Sequence, residues 1–429
     1  MRRICQNFLI LFCAAALLSA TTAAQVPKSA KQKPGGLDGE VVSAKGAPVG
    51  GAQIMWQAAD GGTPHVLHTD VRGQFHIEPL RAGSYDLRAS SAGTWSEWEH
   101  NVLVRPGADV KVTLRLSFKT PVAPLGVELK GTMRFWDAPV PGAMPHDSAA
   151  DAKGNIWFSL QETGHIARFN PDTQEWKLFK IPTEDSGPLG LAFDSLGNLW
   201  FAESKAGKIG RLNPISGVIL EYAPPTAKDP RTLVLGADGA IWFTAQDSNV
   251  IGRIDMDTGR ITEFGVPTQD AHPFGMAAGE DGAIWFSELS GGKLGRIDPA
   301  SGALTEYAPT DLDVVPRRLV AVKGAIYFTD SGGGRLGRIT LADKKFKLWD
   351  SPSGIHSIPY GIGADSAGKI WFEESGNDAN NLVRFDPAVE VFRTYPMPAA
   401  NSLVQNMARD AKGRLWMPLS AANKIADVE

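Results

Sequence analysis

Side chains that could do chemistry recur about every 43 residues, each one step after a proline or its equivalent. These positions, which we call the entry ring, hold His146, Leu189, Arg231, Phe274, Arg317, Tyr360 and Gln405. His146 is a candidate catalytic base, and Tyr360 is a candidate hydrogen-bond donor to a developing oxyanion. Arg231 and Arg317 could hold a carboxylate or phosphate through paired hydrogen bonds, with the phenylalanine and the glutamine as further ligand contacts. The ring predicts a small polar or anionic ligand.

Each of these side chains also has a structural interpretation. His146 would then be bonded to a loop carbonyl or to Asp147. Arg317 would pair with an acid such as Asp330 in its own copy of the repeat. The residue types alone leave both interpretations open.

Acidic residues fill a second recurring position, which we call the acid ring. Its seven positions hold Leu160, Glu203, Ala245, Glu288, Asp330, Glu374 and Leu419. Hard cations such as Mg²⁺ or Ca²⁺ prefer several oxygen ligands, so the four acids are candidate metal ligands. The alternative is a structural role in which each acid accepts backbone N–H bonds at the start of a loop.

Both rings belong to a repeat that fills the C-terminal two-thirds of the chain. The dipeptide Trp-Phe or a near variant begins at Trp157, Trp200, Trp242, Trp285, Tyr327, Trp371 and Trp416. Each copy reads as four short strands joined by Gly-rich turns, the size and content of one propeller blade. Triplets such as IWF are apolar at successive positions, so both faces of that strand must be buried between neighbouring blades. We therefore predict an all-β fold with a seven-bladed β-propeller over residues 132–429.

The ends of the repeat predict how the ring of blades closes. The seventh copy stops after its third strand, whereas residues 133–141, MRFWDAPVP, match the fourth-strand pattern seen in FKLWDSP. Pairing of residues 134–137 with residues 424–428 would complete the last blade and hide two strand edges. The DxxG turns lie on one rim, so the entry ring should face the central shaft at the opposite rim, which we call the mouth.

The N-terminal residues predict export. Arg2 and Arg3 precede an apolar run that is too short to span a bilayer, which is typical of a signal peptide over residues 1–24. Residues 25–36 should be a flexible leader. Both cysteines, Cys5 and Cys13, lie in the signal segment, so the mature chain would hold no disulfide. We expect a periplasmic or secreted protein without a transmembrane anchor.

Residues 37–116 read as short alternating strands with Gly or Pro turns, which favours a small Ig-like or transthyretin-like β-sandwich. A Pro- and Gly-containing linker follows over residues 117–131. Segments such as GAPVGGA, TDxxGxF and LxxGxY resemble the carboxypeptidase regulatory-like domain. That resemblance implies a carbohydrate-binding-like accessory domain that docks to carbohydrate or another envelope component.

The propeller resembles the streptogramin (virginiamycin B) lyase family through WFAESKAGKIGRL, WFSELSGGKLGRI and ITEFGVPT. The resemblance implies opening of a cyclic depsipeptide ester by elimination, with a histidine base and a magnesium ion held partly by glutamates. The family carries Pro-His at the entry position of two neighbouring blades, the second with a glutamate two residues before its histidine. This chain has one such pair, Pro145-His146, and Met144 stands before it. These departures argue against authentic streptogramin cleavage.

Basic residues number 43 and acidic residues 47, so the chain lacks the positive charge that general nucleic-acid binding requires. We predict a secreted, monomeric protein that binds a small polar or anionic ligand at the mouth. One alternative is a metal-assisted C–O lyase or lactone hydrolase that acts on a cyclic ester or lactone with His146 as the base. The other is a non-catalytic interaction scaffold.

Overall fold

A computed structural model describes residues 33–58, 65–91, 94–96, 99–119, 133–310, 313–376, 380–397 and 402–428. The predicted signal segment, the predicted leader as far as residue 32 and the predicted linker from residue 120 lie outside these ranges. Within them, no helix combines the length and the apolar character that crossing a bilayer requires.

The eight strands of the N-terminal domain are connected by hydrogen bonds in the order β3-β2-β5-β6-β8-β1-β4, with β7 also paired to β5. The strands are β1 Gly35–Ser43, β2 Gln53–Ala58, β3 His65–His68, β4 Gln74–Leu80, β5 Gly83–Ser91, β6 Thr94–Ser96, β7 Glu99–Val104 and β8 Asp109–Lys119. Alternation along β4 buries Phe75 and Ile77 and exposes Gln74 and His76. The buried face packs with Leu37, Leu87 and their neighbours into one core, so the predicted sandwich is confirmed.

The described C-terminal residues form seven four-stranded sheets, which confirms the seven-bladed propeller. Its strands are β10 Pro145–Ala150, β11 Ile156–Leu160, β12 His165–Asn170 and β13 Glu175–Lys180 in blade 1; β14 Pro188–Phe193, β15 Leu199–Glu203, β16 Lys208–Leu212 and β17 Ile219–Tyr222 in blade 2; β18 Pro230–Leu235, β19 Ile241–Ala245, β20 Val250–Ile254 and β21 Ile261–Gly265 in blade 3; β22 Pro273–Ala278, β23 Ile284–Glu288, β24 Lys293–Ile297 and β25 Leu304–Tyr307 in blade 4.

The remaining blades follow the same plan. They comprise β26 Pro316–Val322, β27 Ala325–Asp330, β28 Arg335–Thr340 and β29 Phe346–Asp350 in blade 5; β30 Pro359–Ala364, β31 Ile370–Glu374, β32 Asn381–Asp386 and β33 Val391–Pro396 in blade 6; β34 Ala408–Arg409, β35 Leu415–Leu419, β36 Lys424–Val428 and the upstream strand β9 Met133–Asp137 in blade 7. A 3₁₀ turn, Gly354–His356, lies at the mouth before β30.

Strand β9 closes the ring by pairing antiparallel with β36, with Lys424 opposite Asp137 and Val428 opposite Met133. This is the pairing expected from the displaced fourth-strand pattern. Trp136 of β9 stacks on Trp416 at 5.2 Å between ring centroids. Trp416 in turn packs with apolar residues of blade 1, so the last blade is joined to the first through a shared core.

The Trp-Phe dipeptide can be buried because the tryptophan has a hydrogen-bond acceptor and the phenylalanine has a packing partner. The indole N–H of Trp242 donates to Asp238 in the preceding turn at 3.1 Å. This bond supplies the acceptor that the buried indole nitrogen would otherwise lack. The ring of Phe243 lies on Gly252 of the next strand, where a Cβ would come within 2.0 Å of it. The K-I-G-R glycine is therefore required by packing against the phenylalanine.

Candidate functional site

Six residues of the entry ring lie at the start of the innermost strand of their blade, whereas Gln405 precedes β34 by three residues. All seven side chains are buried. Phe274 and Tyr360 lie 6.2 Å apart between ring centroids. The guanidinium of Arg231 lies 5.9 Å from the Phe274 ring, and that of Arg317 lies 4.8 Å from the Tyr360 ring. Tyr360 donates its hydroxyl proton to Gln405 at 3.2 Å. The structure thus brings all of the predicted ligand contacts into one cluster.

In blades 1 to 6, a bulge in the inner strand makes two successive residues available to the shaft. In blade 1, Pro145 is opposite Leu160 and Ser148 is opposite Phe158, so the inner strand holds one residue more than its partner. The backbone N–H of Asp147 at this bulge donates to the Ser159 hydroxyl at 3.0 Å. Strict strand alternation does not predict this, so the residues one step beyond the entry ring were missed.

Those missed residues form an ion pair inside the shaft. Arg318 of blade 5 donates to both carboxylate oxygens of Asp147 in blade 1, at 2.8 and 3.2 Å, and to the Thr232 hydroxyl of blade 3 at 3.1 Å. Its guanidinium also lies 5.4 Å from the ring of Phe274. Arg318 and Asp147 therefore cross-link three blades beneath the mouth.

His146 is bound to this ion pair through Asp147. Its Nδ1 lies 2.7 Å from Asp147 Oδ1, which agrees with the structural interpretation that names Asp147 as the partner. Burial lowers the pKa of His146, and the charges of Arg318 and Arg231 act in the same direction, whereas Asp147 opposes them. A neutral imidazole at pH 7 follows, which is the protonation state that a base needs.

The hydroxyl of Tyr360 is already committed as a donor. Because its proton goes to Gln405, an oxyanion would have to displace that bond before Tyr360 could stabilise it. Gln405 is itself held by a bond from its amide nitrogen to the Ser420 hydroxyl at 3.3 Å.

Arg317 pairs with the N-terminal domain. Its Nη2 lies 2.7 Å from Asp86 Oδ2 in β5, and its Nε donates to the Ser331 hydroxyl at 3.0 Å. The suggested pair between Arg317 and Asp330 is wrong, because Asp330 accepts the Nε–H of Arg335 at 2.7 Å.

A second contact of β5 extends this docking over the mouth. Arg88 donates to the backbone carbonyl of His356 at 3.0 Å and to that of Gly376. Burial, with a contribution from the charge of Arg88, lowers the pKa of His356 to about 4. Asp86 and Arg88 are both buried, so the sandwich covers the mouth at blades 5 and 6.

The acid ring does not form one metal site. Its four acids occupy the same position in four different blades, each paired across the strands with the entry proline of its own blade. Among the described residues, no group of three His, Cys, Asp or Glu side chains could hold a metal ion. The carboxylate nearest to His146 is Asp147, which Arg318 neutralises. The residues present therefore do not fit the magnesium ion that the family resemblance implies.

Asp330 and Glu374 match the structural interpretation of the acid ring. Asp330 accepts the backbone N–H of Val315 at 2.8 Å, and Glu374 accepts that of Ser353 at 3.0 Å. Glu374 also accepts a bond from the side-chain amide of Asn381 at 3.0 Å. These two acids therefore stabilise the loops that lead into the entry prolines Pro316 and Pro359 of their blades.

Glu203 and Glu288 differ from the other two acids. Both are fully buried, and within the described part of the chain neither carboxylate accepts a backbone N–H bond. Burial raises the pKa of Glu203 to about 8, and the nearby Glu221 adds to the effect. Burial and Glu306 raise the pKa of Glu288 to about 7. Among the residues that the structure describes, these two acids therefore lack the backbone N–H bonds that the structural interpretation expects.

The family model for the virginiamycin B lyase family matches residues 107–358. The chain belongs to this family. The model for the carboxypeptidase regulatory-like domain matches residues 36–117, ahead of the lyase-family propeller. No curated protein matches the chain.

Solved structures of lyases resemble this lyase-family chain along its propeller. The selenomethionine-substituted virginiamycin B lyase from Staphylococcus aureus is 26% identical, with a TM-score of 0.64 over 70% of this chain and 99% of that one. A streptogramin B lyase structure is 27% identical, with a TM-score of 0.65 over 70% and 97% of the two chains. A catalytically inactive variant of the Staphylococcus aureus virginiamycin B lyase, solved with quinupristin, is 25% identical, with a TM-score of 0.64 over 70% and 99%.

Proposed function

We propose that this virginiamycin B lyase family member binds a small carboxylate-bearing ligand at the mouth of its propeller shaft. In this proposal Arg317 and Arg231 hold the anion, and Phe274, Tyr360 and Gln405 form the surface beside it. The sandwich regulates access, because Asp86 occupies Arg317 whenever strand β5 is docked.

The contact between Asp86 and Arg317 carries this proposal. A carboxylate lies 2.7 Å from a guanidinium that is also held by Ser331 and packed over the Tyr360 ring. A guanidinium fixed in this way is pre-organised for a carboxylate. Asp86 therefore marks the place and the chemistry of the ligand group that would replace it.

The positive charge around this place supports the same choice of ligand. Arg231, Arg317 and Arg318 all lie against the Phe274 and Tyr360 rings, where little water screens them. Within the described residues, the acids that contact Arg317 and Arg318 are Asp86 and Asp147. Asp86 comes from the other domain, so its withdrawal would remove the carboxylate that contacts Arg317 here.

Thermal stabilisation by citrate and by inorganic phosphate tests the proposal. We expect citrate to raise the melting temperature of the wild-type chain in a concentration-dependent way. Arg231→Gln should reduce that shift, whereas the control Arg253→Gln should not, because Arg253 pairs with Asp238 on the opposite rim. An equal shift in the two variants, or none in the wild type, would refute a mouth site.

The exposed face of the sandwich supports a separate docking role. A groove on this face is lined by polar side chains, among them Asp38, Glu40, His76 and Thr113. Such groups suit the hydroxyls of a carbohydrate, in agreement with the accessory role that the domain resemblance implies. Co-sedimentation of the full chain with peptidoglycan would support this docking role. His76→Ala should weaken the co-sedimentation, and the control Val71→Ala should leave it unchanged. Absence of co-sedimentation would contradict it. Secretion or periplasmic export is part of the same proposal.

A lyase or lactone hydrolase is the second candidate function, and His146 favours it. Asp147 at Nδ1 orients the ring, and the lowered pKa keeps it neutral, so Nε2 could accept a proton from a substrate. Turnover of a cyclic ester or lactone that His146→Gln abolishes would establish this function. Turnover retained in that variant would assign the base elsewhere.

A further inference from the structure

A cavity of about 520 Å³ opens on the rim opposite the mouth, between the turns of blades 1 and 2. We call it the lower cavity. Its lining includes three cations and four apolar side chains: Lys153, Arg168, Lys177, Phe193, Leu196, Pro214 and Ile215. The volume is in the range of small-molecule sites.

Arg168 faces this cavity because its usual partner is already occupied. In blades 3 and 4, the equivalent arginines donate to the turn aspartates, as Arg253 does to Asp238 Oδ2 at 2.8 Å. In blade 1 the side chain of Asn155 donates to the Oδ2 of the turn residue Asp151 at 2.9 Å, and the Trp157 indole donates to the same atom. The turn aspartates of blades 3 and 4 lie two residues nearer the tryptophan, at the position of Lys153. Blade 6 has an aspartate at the position of Asp151, Asp365, and a lysine at that of Asn155; there the equivalent Arg384 lies 3.6 Å from Asp365. Asn155 thus takes the place of the arginine on Asp151.

Blade 2 supplies the apolar wall at positions where other blades carry polar or small residues. Leu196 is 75% exposed and Ile215 is 85% exposed, both in turns. The turn position of Leu196 holds Lys153 in blade 1, and that of Ile215 holds Asp172. Because both side chains line the same cavity beside Phe193 and Pro214, they form a contiguous apolar wall of the kind that marks a ligand site.

The acids beside the cavity do not cancel its cations by direct pairing. Asp151 and Asp194 each accept bonds from backbone N–H groups of their own turn and from a buried tryptophan. In the described part of the chain, Lys153, Arg168 and Lys177 form no ion pair with these or other acids. Arg168 lies over the Trp157 ring at 5.9 Å, and Lys177 lies over the Phe179 ring at 4.8 Å. The cations are available to an incoming anion.

We propose that the lower cavity binds a small molecule with one carboxylate or phosphate group and a flat apolar body. The anion lies against Arg168, with Lys153 and Lys177 beside it, and the apolar body lies between Phe193, Leu196 and Ile215. This site is independent of the mouth, because it lies on the opposite rim and shares no residue with the entry ring.

Isothermal titration calorimetry of the full chain with 2-naphthoate and its neutral analogue 2-naphthamide tests the site. We expect 2-naphthoate to bind and 2-naphthamide to bind about tenfold more weakly or worse. Arg168→Gln should weaken 2-naphthoate binding by about tenfold, since it removes the charge that meets the anion. The matched control is Arg211→Gln, which changes the equivalent arginine of blade 2. Arg211 lies over the Trp200 ring as Arg168 lies over the Trp157 ring, but it is not part of the cavity lining.

A second pair of variants tests the positioning role of Asn155. Asn155→Ala frees Asp151 to pair with Arg168, so 2-naphthoate binding should weaken although the cation is still present. Asn198→Ala makes the same change in blade 2, where Arg211 gains the partner, and should leave binding unchanged. Equal affinity of Arg168→Gln and Arg211→Gln, absence of 2-naphthoate binding, or its displacement by citrate would each overturn the lower-cavity proposal.

Discussion

Asp86 of the sandwich and Arg317 of the propeller form a buried ion pair at 2.7 Å, although 231 residues separate them in the chain. Each side chain is almost completely removed from solvent. Such a pair fixes orientation more than it adds stability, because desolvation offsets most of the attraction. The relationship makes the docking of the sandwich part of the candidate site.

Charge reversal at this contact should separate the two domains. Asp86→Arg places two guanidinium groups face to face, and the sandwich should leave the mouth. We expect a larger radius of gyration by small-angle X-ray scattering. The control Asp38→Arg alters an acid on the exposed sandwich face and should leave the radius unchanged. Equal radii for Asp86→Arg and the wild type would show that the ion pair does not hold the domains together.

The shaft ion pair should matter far more than surface ion pairs. Asp147→Asn leaves the buried Arg318 without a countercharge, and we expect the propeller to lose about 3–5 kcal/mol of stability. Asp172→Asn removes the exposed partner of Lys412 and should change the stability very little, because water and salt screen that pair. Denaturant unfolding of the two variants measures both values, and a similar cost for each would refute the structural role of the shaft pair.

The buried Glu203 predicts a loss of stability at alkaline pH. Its pKa is about 8 in the folded chain against an ordinary 4.5, so the folded state retains a proton that the unfolded state releases. Stability from this group is present below pH 4.5 and is lost as the pH rises through 8. Glu203→Gln should therefore raise the melting temperature at pH 9 relative to the wild type and change it little at pH 4.

Glu374→Gln is the control for that titration. The carboxylate of Glu374 accepts hydrogen bonds from Ser353 and Asn381, so replacing it with the glutamine amide should destabilise the chain at pH 4 and also at pH 9. If Glu203→Gln also destabilised the chain at pH 9, the raised pKa of Glu203 would be wrong.

Ring closure depends on Trp136 of the upstream strand. Trp136→Ala removes the stacking on Trp416 and Phe169, and we expect a loss of about 3 kcal/mol. Hydrogen exchange in Lys424–Val428 should accelerate as the last blade opens. Trp349→Ala changes the matching position of blade 5 and should leave exchange in that strand unaltered. The same exchange pattern in both variants would contradict the closure by β9.

The fold could be predicted because its signals are local and repeated. Trp-Phe at a fixed spacing, glycine turns and the displaced fourth strand each specify the same four-stranded unit. Agreement over seven copies removes the ambiguity of any single short strand. The entry ring could be placed for the same reason, since a proline begins the inner strand in six blades.

The rest of the candidate site depends on features that a sequence pattern does not show. The bulge that admits Asp147 and Arg318 to the shaft breaks the alternation from which side-chain direction is inferred. Asp86 and Arg88 alternate with core residues of β5, which is the usual pattern of a solvent-facing strand face. Asp86 and Arg88 are buried because the sandwich docks on the propeller. The sequence around these two residues does not predict that contact.

Calorimetric titration of citrate into three forms of the full chain tests the mouth proposal most directly. Asp86→Asn removes the competing carboxylate and keeps Arg317, so we expect binding at least about tenfold tighter than in the wild type. The double variant Asp86→Asn with Arg317→Gln removes both charges without leaving either buried alone, and it should lose that gain. Equal affinity of Asp86→Asn and the wild type, or tight binding retained in the double variant, would contradict the exchange of Asp86 for a ligand carboxylate.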